Sequence, residues 1–198
     1  MKTERILELL TGKEGAETLV EKLVAASEDF AEDHQQFEAA IDYFRDTLSG
    51  DVSISVDDLI DAISRQITSQ ILFSGHLGFQ ANVDHFINPV ARTFIEADPE
   101  VYLRERVAKA MPVYADAQAV IDQFYAQLLP EQKEQHECVR AYIAHLDTVV
   151  PKIAHYEGFL LGNELLRYVM PGYQPDPQLT VRYRLMLKEY LQYRPHMK

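Results

Sequence analysis

Residues 55–89 read SVDDLIDAISRQITSQILFSGHLGFQANVDHFINP, and this stretch decides the fold. Ser55-Val56-Asp57-Asp58 has the form of a capping box, in which a serine hydroxyl and a side chain three residues on satisfy two backbone N–H groups. Leu59, Ile60, Ile63, Ile67 and Ile71 follow at helical spacing, and Leu77, Val83 and Phe86 carry the pattern to Asn88-Pro89. The residue before a proline is pushed out of the α conformation, so the helix ends or bends there. Unbroken, the segment makes a helix of about 30 residues, roughly 45 Å long. Gly75 and Gly78 sit inside it and mark where it is expected to bend.

Helical punctuation continues on both sides. Thr3 caps a short first helix (Ile6, Leu9, Leu10) that is expected to stop around Gly12-Lys13-Glu14-Gly15. A second begins at Ala16 and carries Leu19, Val20, Leu23 and Val24. A third carries Phe37, Ile41, Phe44 and Leu48 and meets Gly50 as a C-terminal stop. Val52–Val56 alternates but runs straight into the capping signal, so it reads as an extended connector. Asp98-Pro99-Glu100 combines a capping aspartate, a first-turn proline and an acidic side chain near the positive helix end. Pro112 closes that helix and opens one with Val113, Ala117, Val120, Ile121, Phe124 and Leu128. Pro130 starts a helix through Val139, Tyr142, Ile143 and Leu146 to Pro151, where the missing N–H forces a kink or a break. Ile153, Tyr156, Phe159, Leu160, Leu165 and Leu166 continue it to Met170-Pro171-Gly172, and a final helix follows Pro175-Asp176-Pro177. The expected fold is all-α: a bundle of about seven to eight helices in one domain spanning 1–198. Two of them, 56–87 and 130–169, are long and kinked.

A degenerate repeat of helical hairpins, about 37–88 and 117–170, competes with the ordinary likeness of amphipathic helices. Ala40-Ile41-Asp42-Tyr43-Phe44 returns as Val120-Ile121-Asp122-Gln123-Phe124, and each precedes a long helix with a glycine pair, Gly75/Gly78 and Gly158/Gly162.

At 198 residues with 47% hydrophobic and 25% charged side chains, the chain can bury roughly 70% of its unfolded surface. No run of apolar residues is long enough to span a membrane, and the first residues lack the apolar core of a signal peptide. Cys138 is the only cysteine, so no intrachain disulfide forms and a reducing, cytoplasmic setting is expected. The net charge of −12 is uneven: residues 1–50 sum to −7 and the last twenty to +4. Since phosphate neutralisation supplies most of the affinity for nucleic acids, an acidic chain with one short basic end is a poor binder of them. The final helix interleaves Tyr183, Tyr190 and Tyr193 with Arg182, Arg184, Lys188 and Arg194. It is expected to dock on acidic surface of the same or a sister chain with Leu185, Leu187 and Leu191 in the core, the rival being a partner- or nucleic-acid-binding tail.

The two glycine-bearing segments are the least ordinary part of the chain. Glycine inside a helix costs about 1 kcal/mol against alanine, so something must offset it. Close approach of two helices is the bland explanation. The sharper one is a bundle cavity lined by His76, Asn82, His155 and Asn163 that admits a small molecule. Neither segment follows a strand, which removes phosphate-loop and dinucleotide readings. The seven histidines show no Glu-x-x-His, no His-Glu-x-x-His and no cysteine pair. No metal or other cofactor is therefore expected, and His76, His85, His145 and His155 are where one would be sought. No Gly-x-Ser-x-Gly elbow occurs either, and Cys138 lies in a polar helical run, so no catalytic residue is named.

Leu128-Leu129-Pro130-Glu131-Gln132-Lys133-Glu134, followed after 23 residues by Gly158-Phe159-Leu160-Leu161-Gly162, resembles a family of short uncharacterised helical proteins of Gram-positive bacteria and their phages. Those proteins open a helix with Leu-x-Pro-Glu-x-x-Lys/Glu and close with Gly-Phe-x-Leu-Gly at similar separation. The match covers about a fifth of the chain, which departs from it at Pro151 and in the long segment before the motif. The resemblance implies a helical hairpin and a bacterial cytoplasmic setting, and it brings no catalytic residues. The sequence thus points to an acidic, non-enzymatic helical protein acting through protein–protein contact as a homodimer or with another protein. The alternative is a small-molecule-binding bundle or enzyme with a polar pocket near His76, Asn82, His155 and Asn163.

Overall fold

The computed structural model describes residues 13–48, 52–107 and 115–191, and among them eight helices and no strand occur. They are α1 (Lys13–Ala26), α2 (Glu28–Thr47), α3 (Val56–Ile87), α4 (Pro89–Ala97), α5 (Pro99–Val107), α6 (Ala115–Gln127), α7 (Pro130–Val169) and α8 (Pro177–Leu191). The first helix expected at Thr3 and the stops at Gly50 and Pro112 lie outside the described residues. Lys13, Glu14 and Gly15, expected to break the chain, belong to α1.

The sequence signals form as hydrogen bonds. Asp58 N donates to Ser55 Oγ at 3.1 Å while Ser55 N donates to Asp58 Oδ2 at 2.9 Å, closing the capping box of α3. Asn88 ends α3 and caps α4, its Oδ1 accepting from Val90 N and Ala91 N. Asp98 does the same for α5, accepting from Glu100 N and Val101 N. Both long helices are continuous through the residues at which a bend was expected, α3 through Gly75 and Gly78 and α7 through Pro151. Pro151 offers no N–H to the carbonyl one turn earlier, yet Val149, Val150 and Ile153 are all at most 1% exposed. Their packing holds the helix across the lost bond.

α3 and α7 run side by side in the same direction. Gln66 and Gln70 meet Asp147, Gly75 meets Gly158, and Asn82 meets Asn163, so the numbers rise together along both helices. α2 packs chiefly on α7 and α6 on α3, so each shorter helix leans on the long helix that does not follow it. Phe44 of α2 and Phe124 of α6 meet edge to face at 5.3 Å, both fully buried. Each contributes about 1.5–3 kcal/mol by leaving water. Apolar side chains gather in two clusters, one around these phenylalanines and one around Ala81, Ile95, Tyr156, Phe159 and Tyr183. Leu187 and Tyr190 of α8 pack against both.

The final helix docks, by other contacts than expected. Leu179 and Tyr183 are its buried residues and Leu185, assigned to the core, is 61% exposed. Leu187 and Leu191 are partly buried. Arg182 grips the carbonyls of Glu96 and Ala97 at 2.6 and 3.3 Å, the negative end of the α4 dipole, instead of acidic side chains.

Candidate functional site

The glycine segments are where α3 and α7 touch. A Cβ built on Gly78 would overlap the His155 carbonyl oxygen and stand 2.8 Å from its carbon and 2.9 Å from Phe159 N. A Cβ on Gly158 would overlap the Gly75 carbonyl oxygen and stand 2.8 Å from its carbon. Backbone therefore lies directly on backbone, and the two contacts are related by one shift: 78 to 158, and 75 to 155, are both 80 positions. Alanine in either place would push the helices apart, which is why the helix tolerates glycine there.

One turn on, the crossing is tied by a polar clamp. Asn82, 2% exposed, donates through Nδ2 to the Phe159 carbonyl at 3.0 Å and to Asn163 Oδ1 at 2.8 Å. Asn163 donates to Thr180 Oγ1 at 3.1 Å, and the Tyr173 hydroxyl donates to Asn163 Oδ1 at 2.9 Å. A Cβ on Gly162 would stand 2.9 Å from Asn82 Cβ, so Asn82 packs directly on α7 and no gap is left between them.

The four expected pocket residues separate accordingly. Asn82 and Asn163 meet and engage each other. His155 is fully buried beside the rings of Tyr102, Tyr156 and Tyr183. Burial pushes its imidazole down to about 4, with the Ser74 backbone opposing the shift, so it is neutral at physiological pH. His76 is exposed. Tyr173 and Thr180 were not singled out from the sequence; both lie beyond the Pro171-Gly172 turn, and only the return of α8 along α7 brings them to the clamp.

The histidines considered as ligands are dispersed as well. His145 pairs with Asp33 at 2.7 Å. His85 pairs with Glu96 at 2.8 Å, and Asp176 brings a third donor atom within 4.8 Å of both. Asp176 Oδ1 also caps α8, accepting from Gln178 N and Leu179 N, and Arg92 binds the His85 carbonyl at 2.8 Å. These contacts account for the cluster as a tie between α3, α4 and the start of α8.

Two further features stand out. On α4, Ile95 is fully buried whereas Val90 and Phe94, four residues apart on another face, are 68% and 63% exposed; Ile87, the last residue of α3, is 65% exposed. Between α6 and α7 a cleft of about 360 Å³ opens, lined by Asp122, Tyr125, His136, Arg140, Ile143 and Asp147 among others. It exists because α6 leans on α3 and leaves α7 uncovered there. No described helix is long and apolar enough to cross a membrane. No family model, no curated protein and no solved structure matches this chain.

Proposed function

We propose that this protein works through protein–protein contact as a homodimer, and that the apolar face of α4 is where two copies meet. The observation that carries the reading is the exposure of Val90 and Phe94 on a helix that is otherwise firmly anchored, with Ile87 at the end of α3 exposed as well. Asn88 caps α4, Ile95 plugs it into the core, and Arg182 holds its last carbonyls. A stripe presented on a fixed helix loses little conformational freedom on docking, which favours association. Charge supports a self-complementary contact. Two copies of a −12 chain repel, so they associate best where the touching side chains are uncharged, and a two-fold axis brings one such stripe against itself.

The alternative of a small-molecule pocket at His76, Asn82, His155 and Asn163 has less support, because the two asparagines satisfy one another and His76 faces solvent. Backbone amide exchange at low and high protein concentration tests the dimer. Protection that rises with concentration in residues 86–97 is expected. Concentration-dependent protection confined to other helices, or none at all, would refute the reading.

A further inference from the structure

We propose that the cleft between α6 and α7 binds an aliphatic di- or polyamine, held by Asp147 and Asp122 and by a nitrogen of His136. The site is independent of the α4 face.

His136 is 1% exposed and lines the cleft, yet neither ring nitrogen has a hydrogen-bond partner among the described residues. Phe44, Phe124 and Tyr125 surround it with rings at 5.0–6.4 Å, which supply packing and no acceptor or donor in the ring planes. A buried polar group left unpaired is costly, so a partner entering the cleft gains what the fold forgoes. Burial pushes this imidazole down to about 4, and the Arg140 guanidinium adds to the shift while Glu137 opposes it. Neutral at physiological pH, it offers a lone pair to an N–H donor.

The rest of the cleft wants donors too. Asp147 is positioned by the side-chain amides of Gln66, at 2.8 Å, and Gln70. Asp122 is oriented by Gln118 Nε2 at 2.9 Å. Two carboxylates and the lone pair of a neutral imidazole seek hydrogen along this cleft, and the two carboxylates disfavour an anion. Of the cations near this wall, Arg140 is 60% exposed and tied to Glu137 at 3.1 Å, and Lys133 lies over the Tyr125 ring at 4.8 Å.

Spacing narrows the class further. His136 and Asp147 are eleven residues apart on one helix, about 16 Å along its axis. Between them Ile121, Ile143 and Ala144 make the walls apolar. A linear chain with ammonium groups separated by methylenes matches acceptors strung along an apolar groove, whereas a compact cation reaches only one of them.

Calorimetric titration of the full chain with spermidine, at neutral pH and about 0.15 M salt, tests the proposal. Saturable binding of one spermidine per chain is expected, with putrescine weaker. Asp147→Asn and His136→Phe should each weaken binding about tenfold or more, as loss of a charge-assisted hydrogen bond implies. Asp147→Asn keeps the Oδ1 that accepts from Gln66 and Gln70, so its fold should persist, and a melting curve checks this for both variants. Glu164→Gln, an exposed carboxylate outside the cleft, should leave affinity unchanged. Absence of saturable heat would overturn the proposal, as would unchanged affinity in either folded cleft variant. An equal loss in Glu164→Gln would reveal diffuse attraction to an acidic chain and refute it. Tighter binding of inorganic phosphate than of spermidine would refute it as well.

Discussion

Gly78 of α3 lies against the main-chain carbonyl of His155 on α7, with no room for a single added carbon between the two helices. Gly158 stands in the same relation to Gly75. Alanine at position 78 or 158 must separate two backbones and disturb the Asn82–Asn163 clamp above them. Each is expected to cost about 1–3 kcal/mol or more. At Gly162 the added methyl meets buried, hydrogen-bonded Asn82, and the same direction holds. Gly75 is the internal control. A Cβ there finds nothing closer than the Ala154 carbonyl oxygen at 3.7 Å, so alanine should stabilise by about 0.4–1 kcal/mol through helix propensity and a stiffer unfolded chain. Thermal melts of the four variants check this. A higher melting temperature for Gly78→Ala would contradict the packing account.

The clamp makes a separate claim. Asn163→Leu removes an acceptor from Asn82 and Tyr173 and a donor from Thr180, leaving buried groups unpaired, and should destabilise by about 1–3 kcal/mol. Tyr173→Phe removes only the peripheral hydroxyl and should cost about 0.5–1.5 kcal/mol. Denaturant titrations order the two. A larger loss for Tyr173→Phe would mean that the asparagines are not the centre of the network.

Acid should destabilise the protein before its carboxylates protonate. His136 and His155 both fall from 6.5 to about 4 on folding, each chiefly through burial. Between those values the unfolded chain binds more protons, so the contribution of both histidines is complete above pH 6.5 and is lost as pH falls toward 4. His136→Phe should remove one proton from that slope. Stability measured by urea unfolding across this window checks it, and an unchanged slope in the variant would contradict the burial of a neutral imidazole.

Much of the architecture was legible because local chemistry wrote it. Ser55, Asp98 and Pro130 begin helices where their side chains dictate, and the two longest helices span 56–87 and 130–169 as their periodicity requires. That Gly78 and Gly158 mark a close approach was one of two readings open from the sequence, the other being a cavity, and the backbone contacts decide it. Which backbone each one meets could not be read, because that depends on α3 and α7 running parallel. His76 was separable from Asn82 in principle: six positions at about 100° each place them on different faces of one helix. Leu185 was misplaced because α8 turns Leu179 and Tyr183 inward, a rotation set by the aromatic cluster around Phe159 and not by its own alternation. The pairing of Gln66 and Gln70 with Asp147 left one signal, two glutamines four residues apart within an isoleucine stripe. The exposed α4 face left another in Val90 and Phe94.

Sedimentation equilibrium over a range of concentrations tests the α4 interface most directly, comparing the native chain with Phe94→Lys. Phe94 would be buried twice in a two-fold contact, at about 1.5–3 kcal/mol each, so the charge should weaken dimerisation about a hundredfold or more. The fold should be untouched, because Phe94 is 63% exposed. A native dimer that becomes monomeric in the variant, with an unchanged melting curve at low concentration, is the expected result. A native chain that stays monomeric throughout, or a dimer indifferent to Phe94→Lys, would contradict it.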